Sequence, residues 1–193
     1  MNPQILVAGI GNIFLGDDAF GVEVVKRLVA QNLPQGVEVV DFGINGLDLT
    51  YALLDGYAAV ILVDAIPRGQ APGTLYVIEP EPEDECADES SDVLIETHSL
   101  NPAKVLRIVR RLGSRLDRLL LVGCEPSPLD ADDMREGLSD PVAAAVDGGA
   151  KIILELVAKI RESDKEPGRS CVADGNSPLS PHDSGEVKDL VSC

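Results

Sequence analysis

The chain has 193 residues, of which 45% are apolar and only 3% aromatic, with no Trp. That composition suits one domain of ordinary size around a core of Val, Leu, Ile and Ala. A formal charge of −17 argues against nucleic acid as a partner, because phosphate binding needs clustered Lys and Arg.

Met1-Asn-Pro-Gln lacks a positive segment, and its apolar run is too short for a signal peptide. No stretch approaches the length of a membrane span, so no membrane partner is expected. The four cysteines, Cys86, Cys124, Cys171 and Cys193, include no C-x-x-C pair. A zinc knuckle or redox dithiol is not expected, and a reducing cytoplasm fits best.

The first element is an apolar run, Ile5 to Ala8, read as a short buried strand. A glycine-rich turn, Gly9-Ile-Gly-Asn-Ile-Phe-Leu-Gly16-Asp17-Asp18-Ala-Phe-Gly21, leads from it into an apolar-periodic helix over 22–29. A dinucleotide loop would need glycines spaced G-x-G-x-x-G. Here Phe14 stands at the third position, and two acids would meet the phosphates at the helix start. No nucleotide is therefore expected. Of the paired acids, Asp17 is assigned to capping the helix, which leaves Asp18 to point into the cleft above the turn.

Further along, 37–40 reads as a strand ending at Asp41, and 47–54 as a helix entered through Gly43-Ile-Asn-Gly46. The unbroken apolar run 58–63 suits a central parallel strand and ends in Asp64. A Pro72-Gly73 turn precedes a strand over 74–78. The acidic stretch from Glu79 to Glu96 lacks periodicity and reads as a surface loop. A helix follows, with Asn101 as its N-cap, Pro102 in its first turn and a basic stripe of Lys104, Arg107, Arg111 and Arg115. The last strand is 119–122, before Gly123-Cys124-Glu125-Pro126. Cys124 reads as a small buried residue rather than a nucleophile. The last helix runs from 139 to about 160, with small residues at Ala143 to Ala145 and Gly148 to Ala150 for close helix–sheet contact.

This alternation predicts an α/β fold: a single doubly wound, mostly parallel sheet with helices on both faces, a three-layer sandwich. Residues 1–161 form the domain and 162–193 a tail without apolar periodicity. In such sheets ligands bind beyond the carboxyl ends of the strands, which is where Asp17, Asp18, Asp41, Gly43, Asp64, Cys124 and Glu125 fall.

The pattern Gly9-x-Gly-Asn-x-x-x-Gly-Asp-Asp-x-x-Gly21 resembles the signature of the [NiFe]-hydrogenase maturation endopeptidases, and the resemblance covers roughly residues 4–160. It implies an enzyme that removes a C-terminal extension from the precursor of a hydrogenase large subunit after nickel insertion. It also implies that Asp18, Asp64 and His98 bind metal, with Asp18 or Asp64 serving in catalysis. Two carboxylates and one imidazole suit a divalent first-row metal. The nickel is expected to arrive with the substrate protein. Gly43, Asn45 and Gly46 correspond to the family's substrate-recognition loop, and a monomer is expected. The alternative is a non-hydrolytic nickel-sensing chaperone or nucleotide-binding module of the same α/β class. Among competing hydrolytic mechanisms, no G-x-S-x-G elbow occurs, and adjacent Asp17 and Asp18 cannot face one another as an aspartic dyad.

Overall fold

A computed structural model describes residues 4–79, 118–128 and 137–163. The acidic stretch beyond Glu79, His98, the helix expected after Asn101 with its basic stripe, and the tail from 164 onward all lie outside the described residues.

Five strands form one sheet: β1 (Ile5–Ile10), β2 (Val37–Gly43), β3 (Ala59–Ala65), β4 (Leu75–Ile78) and β5 (Leu119–Cys124). Their order is β2-β1-β3-β5-β4. All neighbours run parallel except β4, which closes the edge antiparallel to β5. Three α-helices are described: α1 (Phe20–Val29), α2 (Gly46–Leu54) and α3 (Asp140–Ser163). The expected α/β architecture is therefore present. α3 continues past the boundary expected at 161, because its buried stripe of Ile153, Val157 and Ile160 reaches its last turn.

The strands are apolar on both faces because both are covered. Ile5 and Val7 of β1, with Ile61 and Val63 of β3, pack beneath Phe20, Val24 and Leu28 of α1 and Val142, Ile153 and Val157 of α3. The alternate residues Leu6, Ala8, Val60 and Leu62 pack beneath Leu49 and Leu53 of α2. Gly149 brings α3 onto α1: a Cβ there would stand 3.0 Å from Phe20 Cζ. The helix–sheet contact expected of this small-residue run is made by Gly148, where a Cβ would lie 3.0 Å from Leu75 Cδ1 of β4, and Gly149 adds a contact to a neighbouring helix.

The chain leaves β1 toward β2 on one side and returns to β3 on the other. The crevice between the ends of β1 and β3 is thus the topological switch point, where open α/β sheets place their ligands. Gly21 sets its depth. A Cβ there would lie 2.2 Å from Val63 O and 2.3 Å from Ile10 O. The first turn of α1 consequently rests directly on the backbones of β1 and β3.

Gly21→Ala is expected to destabilise the fold by about 3 kcal/mol or more, since only backbone surrounds the added methyl. Gly56→Ala, with φ +83° and nothing within 4 Å of the added carbon, should cost only about 1 kcal/mol, from backbone strain. Urea unfolding of the two variants checks the ranking, and equal losses would contradict it.

Candidate active site

Beyond β1 the chain folds into a short 3-10 turn, Gly16–Ala19, which carries both acids of the Asp-Asp pair. The Asp18 carboxylate reaches back to accept the N–H of Asn12 at 2.7 Å. Asn12 in turn accepts the N–H of Phe14 at 3.0 Å. Asp18 is thereby fixed across its own loop and remains partly accessible.

Asp64 enters from the other wall of the crevice. It is paired across the sheet with Gly123 near the end of β3, and its carboxylate accepts the N–H of Ala65 at 2.8 Å. It keeps some access to solvent, yet most of its surroundings are protein. Burial, together with the negative charge of Asp18, pushes its pKa up from an ordinary 3.8 to about 7. The N–H of Ala65 opposes this only in part. The structure therefore brings Asp18 and Asp64 into one electrostatic unit. The third expected member, His98, lies outside the described residues, among which no group of three metal-ligating side chains occurs.

The capping role expected of Asp17 is not what the structure shows. Neither the 3-10 turn nor α1 has a side-chain cap. Asp17 is only 2% exposed and points away from the helix start toward two distant loops. It accepts the N–H of Ser139 at 2.6 Å, the N–H of Ser127 at 2.8 Å and the Ser139 hydroxyl at 2.8 Å. The physical reason is competition for the carboxylate. The 3-10 turn satisfies its own backbone by the bond from Asp18 N–H to Leu15 O, whereas Ser127 and Ser139 offer donors that would otherwise be left without partners. Burial alone would raise the pKa of Asp17, but the hydrogen bonds from Ser139 and Ser127 bring it below the ordinary value.

A third acid had no assigned role in the sequence. Glu125, 4% exposed, accepts the N–H groups of Arg68 and Gly69 at 2.9 Å and the Tyr76 hydroxyl. The Tyr76 bond, with the loop N–H groups, holds Glu125 below the usual carboxylate range despite its burial. It anchors the segment that follows Asp64. Its position at a strand end was visible in the sequence, but its donors come from residues 68, 69 and 76, which no local pattern connects to it. Beside it, Cys124 is buried as expected. Burial, with the charges of Asp17 and Glu125, pushes its thiol up to about 11, which disfavours a thiolate nucleophile.

The loop Gly43-Ile-Asn-Gly46 lies next to the first turn. Gly43 adopts φ +53°, accepts the Gly11 N–H at 3.0 Å and donates to Asp41 at 2.9 Å. Asn45 is the N-cap of α2, accepting the Asp48 N–H at 3.3 Å. Gly46 opens that helix, and its carbonyl accepts the Thr50 hydroxyl at 2.7 Å. These residues shape the rim of the crevice.

Fold and site together define an α/β enzyme with an acidic centre at its switch point. The family described as HycI, hydrogenase maturation protease, matches residues 22–156. The Hydrogenase 2 maturation protease of Escherichia coli is 32% identical over 168 residues, covering 84% of this chain and 94% of that protein. The hydrogenase expression/formation protein HupD of Rhizobium leguminosarum is 34% identical over 145 residues, covering 75% and 69%. The solved structure of the hydrogenase maturating endopeptidase HybD from Escherichia coli superposes with a TM-score of 0.63 at 31% identity. That superposition covers 83% of this chain and 93% of HybD. The chain belongs to the hydrogenase maturation protease family and is an endopeptidase. Proteases of this family act on precursors of hydrogenase large subunits.

Two predictions separate the neighbouring acids. Asp17→Ala strands two partly buried N–H groups and a hydroxyl and should cost about 2–4 kcal/mol, more than the ~1 kcal/mol of a lost surface cap. A loss near the lower figure in urea unfolding would return Asp17 to a capping role. Asp64 should behave in the opposite sense. Its raised pKa means that its favourable contribution is complete below about pH 3.8 and is lost as pH rises through about 7. Asp64→Asn is therefore expected to stabilise the protein by roughly 2–4 kcal/mol above pH 7, with the gain vanishing near pH 4. Stability curves of parent and variant across that range provide the check.

Proposed function

We propose that this endopeptidase removes the C-terminal extension of a nickel-loaded [NiFe]-hydrogenase large subunit. In this reading Asp18, Asp64 and His98 meet the nickel that the precursor carries. The observation that supports it best is the electrostatic coupling of Asp18 and Asp64 across the switch point. The negative charge of Asp18 beside the largely buried Asp64 makes the pair a good receptor for a divalent cation. The donor set fits such an ion, with His98 as its nitrogen ligand.

Nickel, held by the precursor's own ligands, supplies positive charge beside the bond to be cut. The chain's own groups then divide the work. Asp18, fixed by the Asn12 N–H, holds its charge in place at the crevice. Asp18 or Asp64 serves either as a ligand to the ion or, when not engaged with it, as the base that takes a proton from the attacking water. Gly43, Asn45 and Gly46 border the approach of the precursor. No nucleotide enters the scheme. The enzyme works as a cytoplasmic monomer, and among the described residues no helix is long and apolar enough to cross a membrane.

Asp18→Ala, Asp64→Ala and His98→Ala are each expected to abolish processing while leaving the apolar core intact. The measurement is the mass of a matching nickel-loaded precursor before and after incubation. Processing at the parent rate by any of the three variants would remove that residue from the scheme. Equilibrium dialysis of the isolated protein should show weak nickel binding, because a site drawn from three separate segments has to be ordered as it binds. Nickel-free precursor should remain uncut. Stoichiometric uptake at nanomolar nickel, or equal cleavage of loaded and empty precursor, would contradict delivery of the metal by the substrate.

A further inference from the structure

Large apolar side chains stand in solvent at one edge of the sheet. Ile13, Phe14 and Leu15 project from the turn after β1, with Phe14 55% exposed. Ile44, Leu47 and Tyr51 follow β2 at spacings of three and four, forming one stripe on the outer side of α2. Leu47 is 64% exposed and Tyr51 62%. The inner side of the same helix is buried through Leu49 and Leu53. The two groups arise from neighbouring strands joined at the Ile10–Gly43 pair and by the hydrogen bond from Gly11 N–H to Gly43 O. An exposed apolar patch of this kind, beside a catalytic crevice, marks a contact surface.

Its electrostatic setting is one-sided. Asp18, Asp41 and Asp48 lie on the same segments, Asp64 stands across the crevice, and residues 1–67 contain no Lys or Arg except Lys26 and Arg27. Those two sit in the last turn of α1 and are already paired, with Glu23 at 2.7 Å and Asp147 at 2.5 Å. The first cation after them, Arg68, lies over the Tyr76 ring. Among the described residues, a segment bound here meets apolar surface edged by carboxylates without a compensating positive charge.

We propose that the stripe of Leu47 and Tyr51, continued by Ile13, Phe14 and Leu15, docks a segment of the precursor that combines apolar and basic side chains. This rests on the precursor being the substrate. The acidic border selects the sign of the bound segment, and the apolar side chains supply contact area. Docking here anchors the precursor outside the crevice, so its loss acts on binding and leaves the Asp18–Asp64 pair untouched.

The test compares Leu47→Lys/Tyr51→Lys with Leu47→Glu/Tyr51→Glu, using the nickel-loaded large-subunit precursor from the same source as probe. Both pairs remove the apolar contact, but only lysine reverses the local charge. The lysine pair is expected to raise KM about tenfold or more with kcat within about twofold of the parent, and the glutamate pair to do markedly less. Direct precursor binding, measured with the Asp64→Asn background, should weaken in the same order and fall with added salt. Equal KM for parent and lysine pair overturns the proposal, as does equal impairment by lysine and glutamate. A lowered Tm in both pairs also overturns it, because the stripe would then be covered by the chain's own segments. Failure of the parent itself to bind or cut the precursor would instead remove the functional reading beneath.

Discussion

The site depends on how closely the start of α1 can press against the sheet. Gly21 has backbone oxygens from both β1 and β3 where a side chain would begin, and Gly11 curls so tightly that its Cβ would fall 1.8 Å from Asp18 O. With these two positions bare, the 3-10 turn is drawn down into the switch point. Its acid is thereby brought within electrostatic reach of Asp64. Side chains at either position would lift the turn and separate the two carboxylates. The glycines of the opening motif therefore serve the chain's own packing, which explains why their spacing departs from that of a dinucleotide loop.

Around this contact, neighbouring acids have been given unlike tasks by their partners. Asp17 and Glu125 are buried, richly supplied with N–H and O–H donors, and held below their usual proton affinity. Asp64 has one backbone donor and an anionic neighbour, and its affinity rises toward neutrality. Donor count, more than depth, separates a carboxylate that braces loops from one that can exchange a proton. The two braces flank the Asp18–Asp64 pair: Asp17 ties down the turn bearing Asp18, and Glu125 gathers the segment that leaves Asp64.

Much of this was legible in the sequence. The apolar runs and the glycine turn announced a doubly wound sheet, and strand ends pointed to Asp18 and Asp64, because those features are local and periodic. The tie between Asp17 and Ser139 was not legible, since capping is the usual fate of an acid at a helix start and the competing donors lie far along the chain. Glu125 escaped for the same reason. The antiparallel course of β4 was equally hidden, because a short strand after a Pro-Gly turn reads alike in either direction. Local pattern identified the elements, and distant hydrogen bonds decided what the polar residues among them do.

The bonds made by Asp17 also order events in time. Its partners lie 110 and 122 residues downstream, among the most distant connections in the domain. Non-local contacts of this kind form late, because the intervening chain must first be brought into register. During synthesis the turn bearing Asp18 emerges early, yet its brace has no partner until Ser127 has been made and is incomplete until Ser139 follows. The brace on the turn that carries Asp18 is thus complete only once the last helix has begun.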